Sequence, residues 1–471
     1  MATCTYQSPL GYRCPLEEAD ATGLCILHSK NESKDRAAFL AALRGKVQRD
    51  NEDTGAREIR LDGVVFPGPL VWWAVVTDMR PTAKPLSFSW VAFSEKADFS
   101  WVTFTWEAYF KKATFSGNAD FSGATFTGDA VFLGATFSGS ADFRGANFTR
   151  DAVFWGATFK GRTLFQHTTF PTKEEQGWVS FQELAIEKPE EFFFEDVALS
   201  RTSFLRTNLT KVQFTDVTWA TKPERVLPSW AHNILVSVFR RLPPKAQRVT
   251  RLLRVEHNVL YDHLEMEREE KSHKEKGTAP TQNRAITPGE GEEGRADRQQ
   301  RETQNKARLV ANLYRQLRLN YESSRQEVEA GHFYIGQMDM RRRDPDTVGF
   351  TRLALASYRA VAMYGESAWR PLILYFLFSF LLFAPLYLFA GFSWGDPPQS
   401  VSYVLTWHGT LFPFGGDYLK AWYLSVTAGT LLRGNVQVIA DWGLVLAYVN
   451  MVWDIFLISL FLIALRRHFR R

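Results

Sequence analysis

A phenylalanine recurs on a fixed schedule from Phe88 to Phe181, and no other feature of the chain constrains its fold as strongly. Phe88, Phe99, Phe110, Phe121, Phe132, Phe143, Phe154 and Phe165 stand eleven residues apart. Phe93, Phe104, Phe115, Phe126, Phe137, Phe148, Phe159, Phe170 and Phe181 form a second series at the same interval, so successive gaps alternate five and six. An internal repeat of this kind decides the architecture before local propensity is weighed. In Ala119-Asp120-Phe121-Ser122-Gly123-Ala124-Thr125-Phe126-Thr127-Gly128-Asp129 a small residue precedes each Phe by two and a Gly follows it by two. Residues two apart on extended backbone face the same way, so each short segment buries one small and one large side chain. Gly117, Gly123, Gly128, Gly134, Gly139, Gly145, Gly156 and Gly161 then supply the freedom a corner needs.

An eleven-residue period also suits a right-handed supercoil of helices. Glycine at every turn, costing a helix about 1 kcal/mol each time, argues against that. A calcium-binding roll requires Gly-Gly-x-Gly-x-Asp, which is absent. The expectation is a β-solenoid.

Ala119-Asp120-Phe121-Ser122-Gly123 and Ala135-Thr136-Phe137-Ser138-Gly139 resemble pentapeptide repeats, in the variant that adds one residue at every second repeat. The resemblance implies a right-handed quadrilateral β-helix with Phe or Leu stacked along its axis. A strict five-residue register follows at Phe194, Leu199, Phe204, Leu209, Phe214 and Trp219, so the resemblance covers about 88–220. Segment 171–193, with Lys173-Glu174-Glu175 and Lys188-Pro189-Glu190-Glu191, is expected to loop out of the register.

The three cysteines all precede residue 26, which argues against a disulfide framework and suits a reducing compartment. Cys4, Cys14, Cys25 and His28 form a full tetrahedral donor set in a segment, 1–33, too short to fold on apolar burial alone. This spacing resembles small Cys-Cys-Cys-His zinc modules, which implies a structural zinc ion with no open position for water. No signal peptide is expected at Met1-Ala2-Thr3-Cys4. Residues 34–87 are read as a linker helix over 34–48 followed by strands that cap the solenoid.

The resemblance raises DNA mimicry as a function, because some family members present an acidic face. Here Glu95, Asp98, Glu107, Asp120, Asp129, Asp142 and Asp151 are balanced by Lys96, Lys111, Lys112, Arg144, Arg150, Lys160 and Arg162. That balance disfavours mimicry, and a net charge of +5 does not point to nucleic acid as a partner. Residues 228–270 read as helical, 271–300 as a disordered linker by composition, and 301–345 as a helical hairpin, Ala307–Asn320 and Ser324–Arg342. Tyr314-Arg315-Gln316-Leu317 with Ala330-Gly331-His332-Phe333-Tyr334 resembles the hairpin that precedes the first span in pentapeptide-repeat membrane proteins.

Residues 368–392 and 442–465 are long and apolar enough to cross a bilayer, with Pro385 expected to kink the first. Arg341-Arg342-Arg343 precedes the first span and the basic tail 466–471 follows the second, whereas the loop between holds only Lys420 and Arg433. The positive-inside rule then places both termini in the cytoplasm of an integral membrane protein, expected in a bacterial inner membrane. Within the extracytoplasmic loop 403–434, Tyr418–Thr430 resembles the re-entrant pore helix of two-span potassium channels. The filter departs from that family: Thr427-Ala428-Gly429-Thr430-Leu431-Leu432-Arg433-Gly434 stands where Thr-Val-Gly-Tyr-Gly would coordinate potassium, and Arg433 repels cations. Asn450 and Asp454, one turn apart inside the second span, are candidate functional polar groups.

No catalytic constellation is visible, and no enzyme activity is expected. The leading reading is a membrane-anchored scaffold whose solenoid face binds a protein partner, assembled as a homo-oligomer in the lipid bilayer. The rival is a gated channel, in the channel resemblance a tetramer, that is not selective for potassium.

Overall fold

Two-residue strands alternate with corners from Ile59 to Thr215, each strand pairing with its equivalent one coil away. The computed structural model describes residues 3–9, 11–18, 22–31, 33–76, 84–225, 254–276, 292–344, 346–394, 398–402, 415–428 and 437–469. They fall into two units, Met1–Lys222 with Asn258–Asp344, and Pro223–His257 with Pro345–Arg471.

The first unit is built on the solenoid. Ala119 pairs in parallel with Ala97 on one side and Ala141 on the other, so one coil takes 22 residues, two of the eleven-residue units. Four parallel sheets of seven, seven, six and three strands form its sides: the β-solenoid that the phenylalanine schedule predicts, with the short regular strands of the pentapeptide-repeat β-helix that the resemblance implies. Every scheduled Phe is buried, and the rings form columns down the axis. Phe115 and Phe137 stack with centroids 4.8 Å apart and planes 1° from parallel, as do Phe126 and Phe148 at 4.8 Å and 0°. Neighbouring columns meet edge to face, as at Phe121 and Phe132, 5.4 Å and 86°. The stacking distance equals the spacing of hydrogen-bonded strands, so the backbone ladder and the ring columns reinforce one repeat.

Glycines at the corners do two different jobs. Gly123 sits at φ +64, a conformation that costs a side chain, as the corner requires. Gly139 lacks a positive φ, but a Cβ there would lie 2.5 Å from the Gly117 carbonyl oxygen of the adjacent coil. The first kind bends the chain, and the second lets coils approach.

The solenoid starts earlier than the expected residue 88. Ile59-Arg60, Val65-Phe66 and Leu70-Val71 are strands of its first coil, with Phe66 stacked on Phe93 at 4.8 Å. Leu61 and Trp72 fill the places that Phe takes later, which hid this coil from the schedule. Helix α1, Arg36–Glu52, starts at an Asp35 cap and outruns the expected 34–48. Its Phe39 lies edge-on against Phe66, 5.3 Å away, and closes the end of the ring column. A short helix α2, Trp72–Val76, follows the first coil.

Segment 171–193 loops out only in part. Two 3₁₀ turns, Glu174–Gln176 and Pro189–Glu191, bulge away, whereas Val179-Ser180 and Ala185-Ile186 remain strands and Phe181 stays stacked on Phe154. Beyond it Phe194 stacks on Phe214, so the coil tightens to 20 residues where the added residues drop out.

At the far end the helices differ from expectation. Of the segment 228–270 read as helical, 228–253 lies outside the described residues, Arg254–Val259 forms a strand, and the part from Tyr261 onward is helix. Helix α3, Tyr261–Lys276, and helix α4, Glu292–Ser323, run into both ends of the segment assigned to disorder, leaving 277–291 outside the described residues. Glu, Lys, Arg and Gln are good helix formers, so a composition that cannot build a core can still build helix beside one. Helix α5, Glu327–Arg343, completes the hairpin. Tyr321 and Phe333 of this hairpin cover Trp219, whose indole donates to the Tyr321 hydroxyl at 2.9 Å. The amide side chains of Gln316 and Asn320 accept from the backbone N–H groups of Leu209 (2.7 Å) and Lys211 (3.0 Å), satisfying the last coil's open edge.

The second unit begins with helix α6, Gly349–Ala362. Helix α7, Trp369–Phe378, continues through a wide π turn at Ser379–Phe383 into helix α8, Ala384–Ala390. Pro385, expected to kink the span, stands at the start of α8 directly after that turn, which absorbs the hydrogen bond a proline cannot make. Phe392–Trp394 is the central strand of a small antiparallel sheet between Gln399–Val401 and Gln437–Val438, an element without a readable period. Helix α9, Gly415–Ala428, and helix α10, Asp441–Phe469, complete the unit.

Candidate functional site

Cys4 and Cys14 ride on a hairpin closed by bridges between Thr3 and Glu17 and between Gln7 and Arg13, turning at Gly11 (φ +83). A second turn at Gly23 (φ +76) delivers Cys25, and a tight turn in which His28 N–H donates to the Cys25 carbonyl (3.1 Å) delivers His28. The four donor atoms lie within 4.8 Å of one another, and all four residues are buried. Cys14 Sγ and Cys25 Sγ are 3.7 Å apart, Cys4 Sγ and His28 Nδ1 3.7 Å, and Cys25 Sγ and His28 Nδ1 3.1 Å.

Surrounding groups orient this set. His28 Nε2 donates to the Asp62 carbonyl at 3.0 Å, which leaves the Nδ1 lone pair aimed at the sulfurs. The Tyr6 ring stacks on the imidazole at 4.0 Å, and the Cys25 N–H donates to Cys4 Sγ at 3.2 Å. The Cys14 thiol, hydrogen-bonded to Cys25, holds Cys25 at about 3, far below the usual thiol range, while the same contact pushes Cys14 up. The donor set can hold a metal ion.

The cluster is also the solenoid's end cap. Val65 N–H donates to the Leu27 carbonyl at 2.9 Å, and Lys34 Nζ donates to the carbonyls of Ile26 (3.0 Å), Ser29 (2.8 Å) and Val65 (2.6 Å). Asp62 links the two, its backbone oxygen on His28 and its carboxylate on Ser87 of the next coil. Nothing in the spacing of Tyr6, Asp62 and Lys34 ties them to the cysteines, so the sequence does not mark them as site residues.

On the outside of the solenoid, Trp101 stands 81% exposed at a corner with φ +58. The coils that follow place Gly123 and Gly145 there, and the Trp101 ring packs over Gly123. Trp73, Trp106 and Trp155 are also exposed. An indole in a glycine's place was the signal available in the sequence.

Residues 121–169 match the family described as pentapeptide repeats (9 copies). No curated protein and no solved structure matches the chain. The pentapeptide repeats thus carry the likeness to known proteins.

In the second unit the polar candidates converge on α9. Asn450 Nδ2 donates to the Ser425 carbonyl at 2.8 Å and to Asp454 Oδ2 at 3.1 Å, and the Ser425 hydroxyl donates to Asn450 Oδ1 at 3.3 Å. All three residues are fully buried. The Tyr375 hydroxyl donates to the Val426 carbonyl at 2.6 Å, and that of Tyr418 to the Phe380 carbonyl. Helix α9 therefore runs antiparallel to α7, with its C-terminal end level with the middle of α10. Thr427 lies in its last turn, its hydroxyl donating to the Tyr423 carbonyl at 2.8 Å. Gly429, Thr430 and Arg433 lie outside the described residues.

Trp369–Ala390 and Asp441–Arg466 are long and apolar enough to cross a membrane, with only 39% and 22% of their most apolar windows buried. The core helix of a soluble protein would be mostly buried.

Proposed function

We propose that the protein is a non-enzymatic scaffold, anchored in a bilayer by two spans with both termini on the cytoplasmic side, whose solenoid presents a rigid face to a protein partner. The exposed Trp101 carries this reading. Indole rings dominate binding energy at protein interfaces, and this one sits on a backbone that cannot yield, in a conformation that an L-residue adopts only at a cost. Trp73, Trp106 and Trp155 extend the same chemistry over the surface.

The metal in this reading is zinc in a structural role. Zinc–sulfur bonds of about 2.3 Å in a tetrahedron set sulfur–sulfur edges near ~3.8 Å, and the Cys14–Cys25 separation of 3.7 Å agrees. Four protein donors leave no open position, so the ion holds the end cap together and performs no reaction.

A second reading, an oligomeric channel not selective for potassium, is favoured by one observation: α9 reaches the level of the middle of α10 and is tied there by Ser425, Asn450 and Asp454. Planar-bilayer recording of the purified full-length chain separates the two. The scaffold reading expects no unitary conductance, and a reproducible one overturns it. Trp101→Gly is the partner test: it removes the indole and the left-handed strain together. Partner capture is expected to fall at least tenfold, the scale of a hot-spot residue, with the melting temperature unchanged or slightly raised. Undiminished capture would remove Trp101 from the interface.

A further inference from the structure

Helix α6 presents the wrong side to water. Phe350 is 81% exposed, Leu353 66%, and Val348 ahead of the first turn 70%. At the helical repeat, Phe350, Leu353, Ala354, Ser357 and Ala360 fall on one arc, and all five are exposed. Thr351, Leu355, Tyr358 and Ala362 occupy the opposite arc and are buried or half-buried. A soluble helix puts its charges on the outer arc, but here Arg352 stands at its margin and no acid occurs between Gly349 and Ala362.

Three further observations identify what covers this face. The left-handed residues Met363 (φ 48) and Tyr364 (φ 59) break the helix, and the first apolar span starts at Trp369, so the face lies within a few residues of where that span begins. Trp369 is itself 68% exposed at that start, the position where an indole anchors at a lipid headgroup boundary. The exposed charge of α6, Arg352, is basic, which complements the anionic surface of a bilayer.

We propose that α6 lies in the lipid–water boundary, with Phe350 and Leu353 among the acyl chains and Arg352 toward anionic phosphate headgroups. This rests on the membrane reading above. The break at Met363-Tyr364 then turns a helix lying along the surface into one that crosses, so α6 sets the depth at which the first span enters.

The test is photo-crosslinking of the full-length chain in vesicles of phosphatidylcholine and phosphatidylglycerol. Benzoylphenylalanine is placed at position 350 or 353, and at position 462 as a control, where the exposed Leu462 of α10 faces outward in the second span. The expected result is a mass shift of one lipid at all three positions. A lipid adduct at 462 alone overturns the inference and leaves the membrane reading intact. Crosslinking of positions 350 and 353 to a second copy of the chain also overturns it, by showing that another subunit covers the face. Adducts at none of the three overturn both.

Discussion

Three sulfurs and an imidazole nitrogen, all buried and within 4.8 Å of one another, form a donor set that could hold a metal ion. Cys25→Ser is therefore expected to remove about one equivalent of zinc per chain, read by elemental analysis. A chelator should lower the melting temperature of the unaltered chain and leave that of Cys25→Ser unmoved. Equal zinc in both would show that Cys25 is not one of the donors that hold the ion. Asp262 is the second residue whose burial has a measurable consequence. Its carboxylate accepts from the Ser203 hydroxyl at 2.5 Å and the Phe204 N–H at 3.1 Å, yet burial outweighs both and pushes its pKa up to about 6. A pKa raised on folding means the folded state holds the proton more tightly. The stabilisation is complete below the ordinary aspartate value near 4 and is lost as pH rises through about 6. Asp262→Asn should flatten the stability profile between pH 4 and pH 7 by about 3 kcal/mol. Urea titrations across that range that give parallel profiles for both proteins would refute the assignment.

At the scale of the element, the glycine ladder of Gly117, Gly139 and Gly161 separates corner bending from coil packing. A Cβ at Gly139 would meet the Gly117 oxygen at 2.5 Å, and one at Gly161 would crowd the Gly139 oxygen in the same way. Gly139→Ala must push two coils apart against their hydrogen bonds, and should cost about 1–3 kcal/mol by urea denaturation. An unchanged midpoint would show that the coils have slack. The solenoid was legible because each inward position carries a ring on a period that only a coil can use. The donor cluster was legible because cysteine and histidine carry ligand chemistry in their residue type alone. What escaped depends on contacts across the chain. The first coil uses Leu61 and Trp72 in place of Phe, and the cap on which the cluster sits exists only once the Asp62 carbonyl reaches His28. Helix α6 escaped because an apolar stripe tells which face is greasy, not whether that face turns in or out. The sheet around Phe392–Trp394 escaped because strands of two or three residues have no period to read.

For the whole molecule, the decisive contrast is between a unit that closes its own core and one that does not. Phe39 covers one end of the ring columns, and Tyr321 with Phe333 covers the other, so the first unit leaves neither end open. Among the described residues, 7 exposed large apolar side chains belong to it and are scattered, whereas 22 belong to the second unit and mostly line its two long helices. Scattered apolar residues are ordinary on a soluble surface, but a continuous apolar surface needs a cover. A chain ending at Asp344 is therefore expected to be soluble without detergent and to unfold at the same temperature as the solenoid in the full-length protein. The full chain should remain with the membrane fraction after carbonate extraction. If the shortened chain instead aggregates or melts earlier, the solenoid draws stability from the second unit. The protein would then be one cooperative body, and the division between a self-sufficient scaffold and its anchor would be lost.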